Sequence, residues 1–276
     1  MSLFVCPVCG RRLAEDDEHR RCFCEKGHSF DRASEGYVNL LTVDRRRSAS
    51  PGDDKDMARA RRAFLDKGFY APLLETCAGE ICRLAGEGAA VLDAGCGEGY
   101  YTSGIYEALS KSGKQSRVAG IDISKAAVRM AAKRGKGVEY AVASSFHLPV
   151  ADGEIDLLFD CFSPLAIGEF GRVIRPGGSF VYVTPSAEHL WELKCAVYDR
   201  PYKNEERVER YEGFRCEDIR EVRTRLKLGT SEDIAALFAM TPYFWRTPRE
   251  GAERLGRLES LETSAGFRIH IFRREE

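Results

Sequence analysis

Apolar positions along this chain alternate between two rhythms. Short apolar runs at Ala90–Asp93, Val118–Ile123, Val138–Val142, Ile155–Cys161 and Ser179–Thr184 are bounded by turn formers and read as strands. Helical spacing occupies the intervals near Tyr101–Lys111, Lys125–Arg134 and Ile167–Ile174. Such alternation predicts an α/β fold, with a parallel sheet covered on both faces. The end of the chain differs: Glu221–Leu228 and Phe267–Arg273 read as strands, with a helix from Ser231 to Ala239 after the first. Upstream, Thr42 to Arg62 is polar, rich in turn formers and without apolar period, as expected of a linker. Its Arg45, Arg46 and Arg47 suit either phosphate contacts or a solvated stretch. A helix is expected from Met57 to Phe69, with Ala60, Ala63, Phe64 and Leu65 on one side.

The richest stretch is Val91-Leu-Asp-Ala-Gly-Cys-Gly-Glu-Gly99. An apolar strand ends at Asp93, and glycines follow at 95, 97 and 99. Without a Cβ in the way, a ligand can approach this backbone closely. The next helix points its first amides at the ligand. Tyr100 stands where a dinucleotide fingerprint would place its third glycine, and a carboxylate beside the loop disfavours a pyrophosphate. That carboxylate suits a positively charged amino group. The acidic-x-G-x-G-x-G pattern resembles the first motif of S-adenosylmethionine-dependent methyltransferases. Asp122, at the end of the next strand, lies at the distance suited to a ribose hydroxyl pair; the bland alternative is a cap for the helix that follows Ser124.

With 276 residues and 43% hydrophobic content, the chain can hold one large domain plus a small appendage. A net charge of -1 and a pI near 6.6 argue against a uniformly basic nucleic-acid binder, while leaving local patches open. No apolar run is long enough to span a bilayer, and the first residues do not form a signal peptide. A cytoplasmic protein is expected. Ten cysteines in that compartment point to metal binding or burial rather than disulfides.

Cys6-Pro-Val-Cys9-Gly10 is a knuckle, and Cys24 and His28 follow as C-x3-H. Together they make a four-ligand set of Cys3His composition that suits tetrahedral zinc. A segment this short and charged needs a metal to organise it. Cys24 is preferred as third ligand because the C-x3-H closure is compact; Cys22 is the alternative.

Beyond the knuckle runs His28-Ser-Phe-Asp-Arg-Ala-Ser-Glu-Gly-Tyr-Val-Asn-Leu-Leu41, then Pro51-Gly52-Asp53 and Ala60-Arg-Arg-Ala-Phe-Leu65. With Gly95–Thr102, Ala143-Ser144-Ser145, Arg175-Pro-Gly-Gly178, His189-Leu-Trp-Glu-Leu-Lys194 and Met240-Thr-Pro-Tyr-Phe-Trp245, the chain resembles the bacterial 23S ribosomal RNA guanine-N1 methyltransferases over nearly its whole length. It departs from them at Glu25, where that family usually has proline after the third cysteine. The resemblance implies an α/β, seven-stranded Rossmann-like methyltransferase fold whose last strand is antiparallel, preceded by a small zinc-binding module. The expected division is 1–41 for the zinc-binding RNA-recognition module, 42–70 for linker and helix, and 71–276 for the catalytic domain. Cofactor contacts are implied for Tyr70 and His189, and Ala143 with Ser144 should border the adenine ring. The candidate cofactor set is therefore Tyr70, Asp93, Gly95, Gly97, Glu98, Gly99, Asp122, Ile123, Ala143, Ser144 and His189.

Asp160-Cys-Phe-Ser-Pro164 follows the fourth strand, where base-modifying enzymes bind their target. Phe162 offers a face for stacking a base, and Asp160, Ser163 and Pro164 complete the candidate catalytic loop. Cys161 lacks the Pro-Cys order of the cytosine-C5 enzymes and reads as a small buried residue. The cluster Met240–Trp245 is either core or a base-stacking wall, and its apolarity favours core. The expected activity is methyl transfer from S-adenosylmethionine to guanine N1 in a 23S rRNA hairpin loop, with zinc bound and a homodimer implied by the resemblance. The rival readings are a small-molecule methyltransferase and a non-enzymatic zinc-ribbon RNA-binding adaptor.

Overall fold

A computed structural model describes residues 2–16, 18–42, 52, 54–206 and 210–276. The arginines at 45–47, Pro51 and Asp53 lie outside these residues.

The chain opens with three short antiparallel strands, β1 (Ala14–Glu15), β2 (Arg21–Phe23) and β3 (Ser29–Asp31). β4 (Val38–Asn39) then leaves this small sheet and joins a large one. The large sheet contains β5 (Ala90–Ala94), β6 (Arg117–Asp122), β7 (Glu139–Val142), β8 (Ile155–Cys161), β9 (Ile174–Pro185), β10 (Phe214–Leu228) and β11 (Leu261–Arg274). Its order is β10-β11-β9-β8-β5-β6-β7-β4. β11 runs antiparallel to both neighbours, as expected of the last strand. The seven expected strands are all present. The eighth is β4, paired parallel to the edge of β7.

That extra strand follows from the alternation within Tyr37–Leu41. Val38 and Leu40 face one side of the sheet, in a cluster with Leu3, Phe4, Ala119, Ile121 and Ala141. Tyr37 and Leu41 face the other, with Val128, Ala131 and Tyr140. A period of two buries both faces of a strand in a covered sheet.

The helices are α1 (Lys55–Asp66), α2 (Ala71–Leu84), α3 (Tyr100–Lys111), α4 (Lys125–Arg134), α5 (Ile167–Val173), α6 (Trp191–Val197), α7 (Ser231–Ala239) and α8 (Arg249–Gly256). Asp54 caps α1 by accepting from the amides of Asp56 and Met57. The buried positions of α1 are Ala58, Phe64 and Leu65; Ala63, expected on that face, is exposed. Ala58 precedes Leu65 by two helical turns, so the two share a stripe. α2 went unpredicted, although Leu73, Cys77 and Ile81 recur every fourth residue and are buried. No helix among the described residues is long and apolar enough to cross a membrane.

The chain runs outward from β5 to β6 and β7, then returns to β8 on the other side of β5. This reversal opens a crevice beyond the carboxyl ends of β5 and β8.

Candidate functional site

Asp93 is the penultimate residue of β5 and is 2% exposed. Its Oδ2 accepts from the Thr102 hydroxyl at 2.5 Å, while Oδ1 is buried with no partner. Burial pushes its carboxyl up to about 8, opposed by Thr102 and helped by the nearby Asp160 and Asp122. An orphaned buried carboxylate oxygen is costly unless a cation or donor reaches it.

Gly95, Gly97 and Gly99 all have left-handed backbones, at φ +101°, +54° and +86°. At Gly95 a Cβ would also lie 2.3 Å from that of Ser163, so no side chain fits there. Asp122 ties the loop to β6: its Oδ2 accepts from Gly97 N at 3.0 Å and its Oδ1 from Ser124 N at 2.7 Å. Ser124 itself caps α4, through the amide of Ala127. Asp122 therefore braces the turn before the helix.

Glu98 is buried for a different reason. It meets Arg134 at 2.6 Å, and Arg134 meets Asp66 at 2.7 Å and lies over the Tyr100 ring. Burial raises the Glu98 pKa and Arg134 opposes it. Ile123 sits beneath Gly52, where an added Cβ would come within 2.8 Å of its side chain. Ala143 is buried after β7, and its amide donates to Asp122 O at 3.0 Å. Ser144 Oγ accepts from Phe146 N at 3.3 Å, which leaves the Phe146 ring 53% exposed beside it. Sequence reasoning missed Phe146.

The opposite wall is the segment after β8. Phe162 takes a left-handed backbone at φ +62° and is 46% exposed. Asp160 is fully buried: its carboxylate accepts from Ser163 N at 3.1 Å and faces Ser163 Oγ at 2.8 Å. Burial raises Asp160 to about 7, opposed by these two contacts. Ser163 Oγ also donates to Ala94 O at 2.7 Å, pinning the loop to the end of β5. Pro164 follows the bend formed by Phe162 and Ser163. Burial pushes the Cys161 thiol well above its ordinary value, so no nucleophilic thiolate forms there.

Tyr70, Phe162 and His189 converge on Phe267 of β11, with ring centroids 4.9, 5.9 and 4.9 Å from it. His189 donates from Nδ1 to Gly266 O at 2.9 Å, which leaves the Nε2 lone pair free. Burial lowers its pKa to about 4, so it is neutral. Phe267 looked like an ordinary strand residue, and only the pairing of β11 with β9 brings it to the site.

The Met240–Trp245 cluster divides. Tyr243 is buried, as expected of core, whereas Phe244 and Trp245 are 42% and 67% exposed. Core was the favoured expectation for the whole cluster; the last two rings overturn it because they sit on the turn between α7 and α8.

The ligand atoms of Cys6, Cys9, Cys24 and His28 all lie within 4.8 Å of one another. Cys9 and Cys24 sulfurs are 3.6 Å apart, and His28 Nδ1 is 3.5 Å from Cys6 Sγ and 3.4 Å from Cys24 Sγ. A tetrahedron with bonds of about 2.3 Å to sulfur and about 2.0 Å to nitrogen has edges of roughly 3.5–3.8 Å. The donor set therefore fits zinc in spacing and in chemistry. Cys22 points the other way, into the core cluster with Leu3, Phe4 and Val38, and accepts from Arg32 at 3.5 Å.

The ligand cluster and the glycine loop each fall within a known family model. Residues 4–49 match the family model described as RlmA, N-terminal, a zinc ribbon, and residues 85–230 match a methyltransferase domain. The chain is 37% identical over 264 residues to a 23S rRNA (guanine(748)-N(1))-methyltransferase of Streptomyces fradiae, covering 93% of this chain and 91% of that one. It is 31% identical over 277 residues to a putative 23S rRNA (guanine-N(1)-)-methyltransferase, YxjB, of Bacillus subtilis, covering 98% and 96%. Among solved structures, the YcgJ protein of Bacillus subtilis shares the fold, with a TM-score of 0.51 at 17% identity over 73% of this chain and 99% of that one.

Proposed function

The chain belongs to the 23S rRNA guanine-N1 methyltransferase family, and from that premise we propose that it methylates N1 of a guanine in an unpaired part of a 23S rRNA hairpin. The observation that carries this reading is the near-full-length similarity that joins a zinc ribbon to a methyltransferase cleft. N1 lies on the Watson–Crick edge, so a paired guanine is closed to attack and the target must be looped out or extruded.

When bound, S-adenosylmethionine supplies an electrophilic methyl on a sulfonium sulfur. Asp93 fits its amino group, because Oδ1 is buried without a partner and a cation bound there would favour the ionised carboxylate over the proton that burial retains. The glycine loop and the first amides of α3 hold the charged end, and Asp122 takes the ribose hydroxyls. Ile123, Ala143 and Ser144 border the adenine. Tyr70 and His189 wall the crevice on the side of β11. Glu98 supports the loop through Arg134.

Phe162 stacks on the target base, since it is the exposed ring of the aromatic group at the crevice. Asp160 acts through Ser163: both its oxygens are turned to that residue, so it positions the loop of Phe162 and Pro164. Most of the rate comes from alignment, which holds N1 opposite the methyl carbon. Guanine N1 gains the methyl and loses its proton, so each turnover releases one proton.

In this reading residues 1–41 hold zinc and contact RNA, 42–70 link, and 71–276 carry the transfer. A cytoplasmic homodimer is part of it, and sedimentation velocity decides the dimer. The direct experiment is reverse transcription of 23S rRNA after incubation with protein and S-adenosylmethionine. Methyl at N1 blocks pairing, so a single cofactor-dependent stop in a hairpin loop is expected. No stop from protein that binds the cofactor would overturn the RNA substrate.

A further inference from the structure

The methyl-transfer reading makes no use of the exposed rings between α7 and α8. Phe244 and Trp245 meet edge to face, with centroids 5.0 Å apart at 89°. Their turn is hydrogen bonded, with Phe244 N to Thr241 O at 3.2 Å and Arg246 N to Tyr243 O at 2.9 Å. The rings are thus presented to solvent by a closed turn. Trp245, at 67% exposure, is the most exposed of the large hydrophobic residues among those described.

A buried cation fixes a further ring in the same corner. Lys194 is fully buried, donates to Tyr202 O at 3.0 Å and Asn204 Oδ1 at 2.7 Å, and has no carboxylate partner among the described residues. Its ammonium lies over the rings of Tyr202 and Tyr243, at 4.7 and 5.2 Å. The Tyr202 ring is 46% exposed. The corner adjoins the crevice through α6, which starts two residues after His189 and carries Lys194, and Tyr70 and Tyr243 belong to one core cluster with Leu190 and Leu193.

The charges of the corner point outward. Arg254, Lys203 and Arg249 are neutralised by Asp199, Glu188 and Glu253. Arg200 and Arg246 are exposed and form no ion pair among the described residues. Free guanidinium groups beside solvent-facing rings suit a single-stranded polyanion with aromatic bases. The same residue types are also enriched at protein interfaces, so the choice of a polyanion rests on the two guanidinium groups without an ion pair and on the RNA-methylating reading.

We propose that Tyr202, Phe244 and Trp245 form a stacking platform for unpaired nucleobases flanking the target guanine, with Arg200 and Arg246 on the neighbouring phosphates. The proposal rests on the RNA-methylating reading above.

The test uses the tryptophans. The chain has two, Trp191 and Trp245, so in Trp191→Phe all tryptophan emission comes from Trp245. Titration with a transcript of the 23S hairpin should quench that emission, and the same sequence annealed to its full complement should not. In Phe244→Ala/Trp245→Ala, KM for the hairpin should rise about tenfold or more, the loss of one stacked base, with kcat and cofactor affinity unchanged. Arg246→Gln should lower the slope of log affinity against log salt by about one. Absence of quenching together with an unchanged KM, in wild-type protein that methylates the hairpin, overturns the platform alone. A double variant that turns a dimer into a monomer without moving KM assigns the face to a second copy and overturns it as well. Wild-type protein that leaves the hairpin unmethylated overturns the reading on which the platform rests.

Discussion

Asp93 sets binding against folding, and replacing it with asparagine separates the two. Its carboxyl ordinarily titrates at 3.8 and is raised to about 8 in the fold. Between those values the native state holds a proton that the unfolded chain has released. Stability therefore falls as pH rises through that window, by about 1.4 kcal/mol per pH unit. At pH 7 the cost is about 4 kcal/mol. An asparagine at this position would carry no such cost, and its carbonyl would still accept from Thr102. Its amide would be orphaned where Oδ1 now lies, at about 1–3 kcal/mol. The Asp93→Asn protein without cofactor should thus be about 1–3 kcal/mol more stable at pH 7, or roughly 2–10 °C in Tm. By pH 4.5 the cost in the parent shrinks to about 1 kcal/mol, and the orphaned amide cancels or reverses the advantage. Asp122 and Asp160 are present in both proteins, so the difference between their melting curves isolates Asp93. Calorimetry should show S-adenosylmethionine affinity falling about ten- to a hundredfold, the loss of a charge-assisted hydrogen bond. A variant less stable at every pH by a constant amount would refute the buried-charge argument. A variant that binds the cofactor normally would refute the assignment of Oδ1.

Other expectations follow from single contacts. Cys24→Ser should lose bound zinc on metal analysis while Cys22→Ser keeps it, because only Cys24 stands within the ligand cluster; the reverse result would exchange their roles. Gly95→Ala should cost more than about 2 kcal/mol and abolish cofactor binding, since its φ of +101° and its clash with Ser163 act together. A melting temperature within a degree of the parent would contradict that. His189 is held neutral with a pKa lowered to about 4, so stability falls with pH below about 6.5, by about 2 kcal/mol at pH 5. His189→Gln should flatten this acid-side loss in thermal melts between pH 7 and pH 5, and an unchanged slope would place the acid sensitivity elsewhere.

The glycine loop was legible because strand, loop and helix are consecutive, and their chemistry is local. The choice of Cys24 over Cys22 was legible for the same reason: the C-x3-H closure is local, and Cys22 lies two residues earlier inside β2 whereas Cys24 lies past its end, among the other ligands. What escaped depends on distant pairing. Phe267 reaches the crevice only through β11 beside β9, and Lys194 matters only because residues 198–204 fold back over it. β10 and β11 run longer than expected, from Phe214 and from Leu261. The added lengths carry exposed arginines and acids in cross-strand pairs, such as Arg225 with Glu262, and so lack an apolar period. α2 differs, since the four-residue spacing of Leu73, Cys77 and Ile81 is present in the sequence itself.

The zinc module and the crevice are mechanically joined, and β4 is the joint. Three short strands cannot bury enough apolar surface to stand alone. Leu3, Phe4, Val38 and Leu40 therefore spend their burial in the same cluster as Ala119, Ile121 and Ala141 of the large sheet. Ser2 reaches Glu139 at 2.6 Å, Val5 N donates to Pro149 O at 2.8 Å, and Glu35 meets Arg129 at 2.6 Å. Leu40 N donates to Val142 O at 2.9 Å, one residue before Ala143 at the border assigned to adenine. A metal that orders the ribbon thus also covers the edge of β7 and steadies the strand end beside the cofactor. The orientation of the ribbon to the crevice is set by backbone pairing rather than by a tether. In the proposed reading, where the ribbon contacts the hairpin, that rigidity is what presents N1 along the methyl–sulfur axis, because a grip that rotated against the crevice would not.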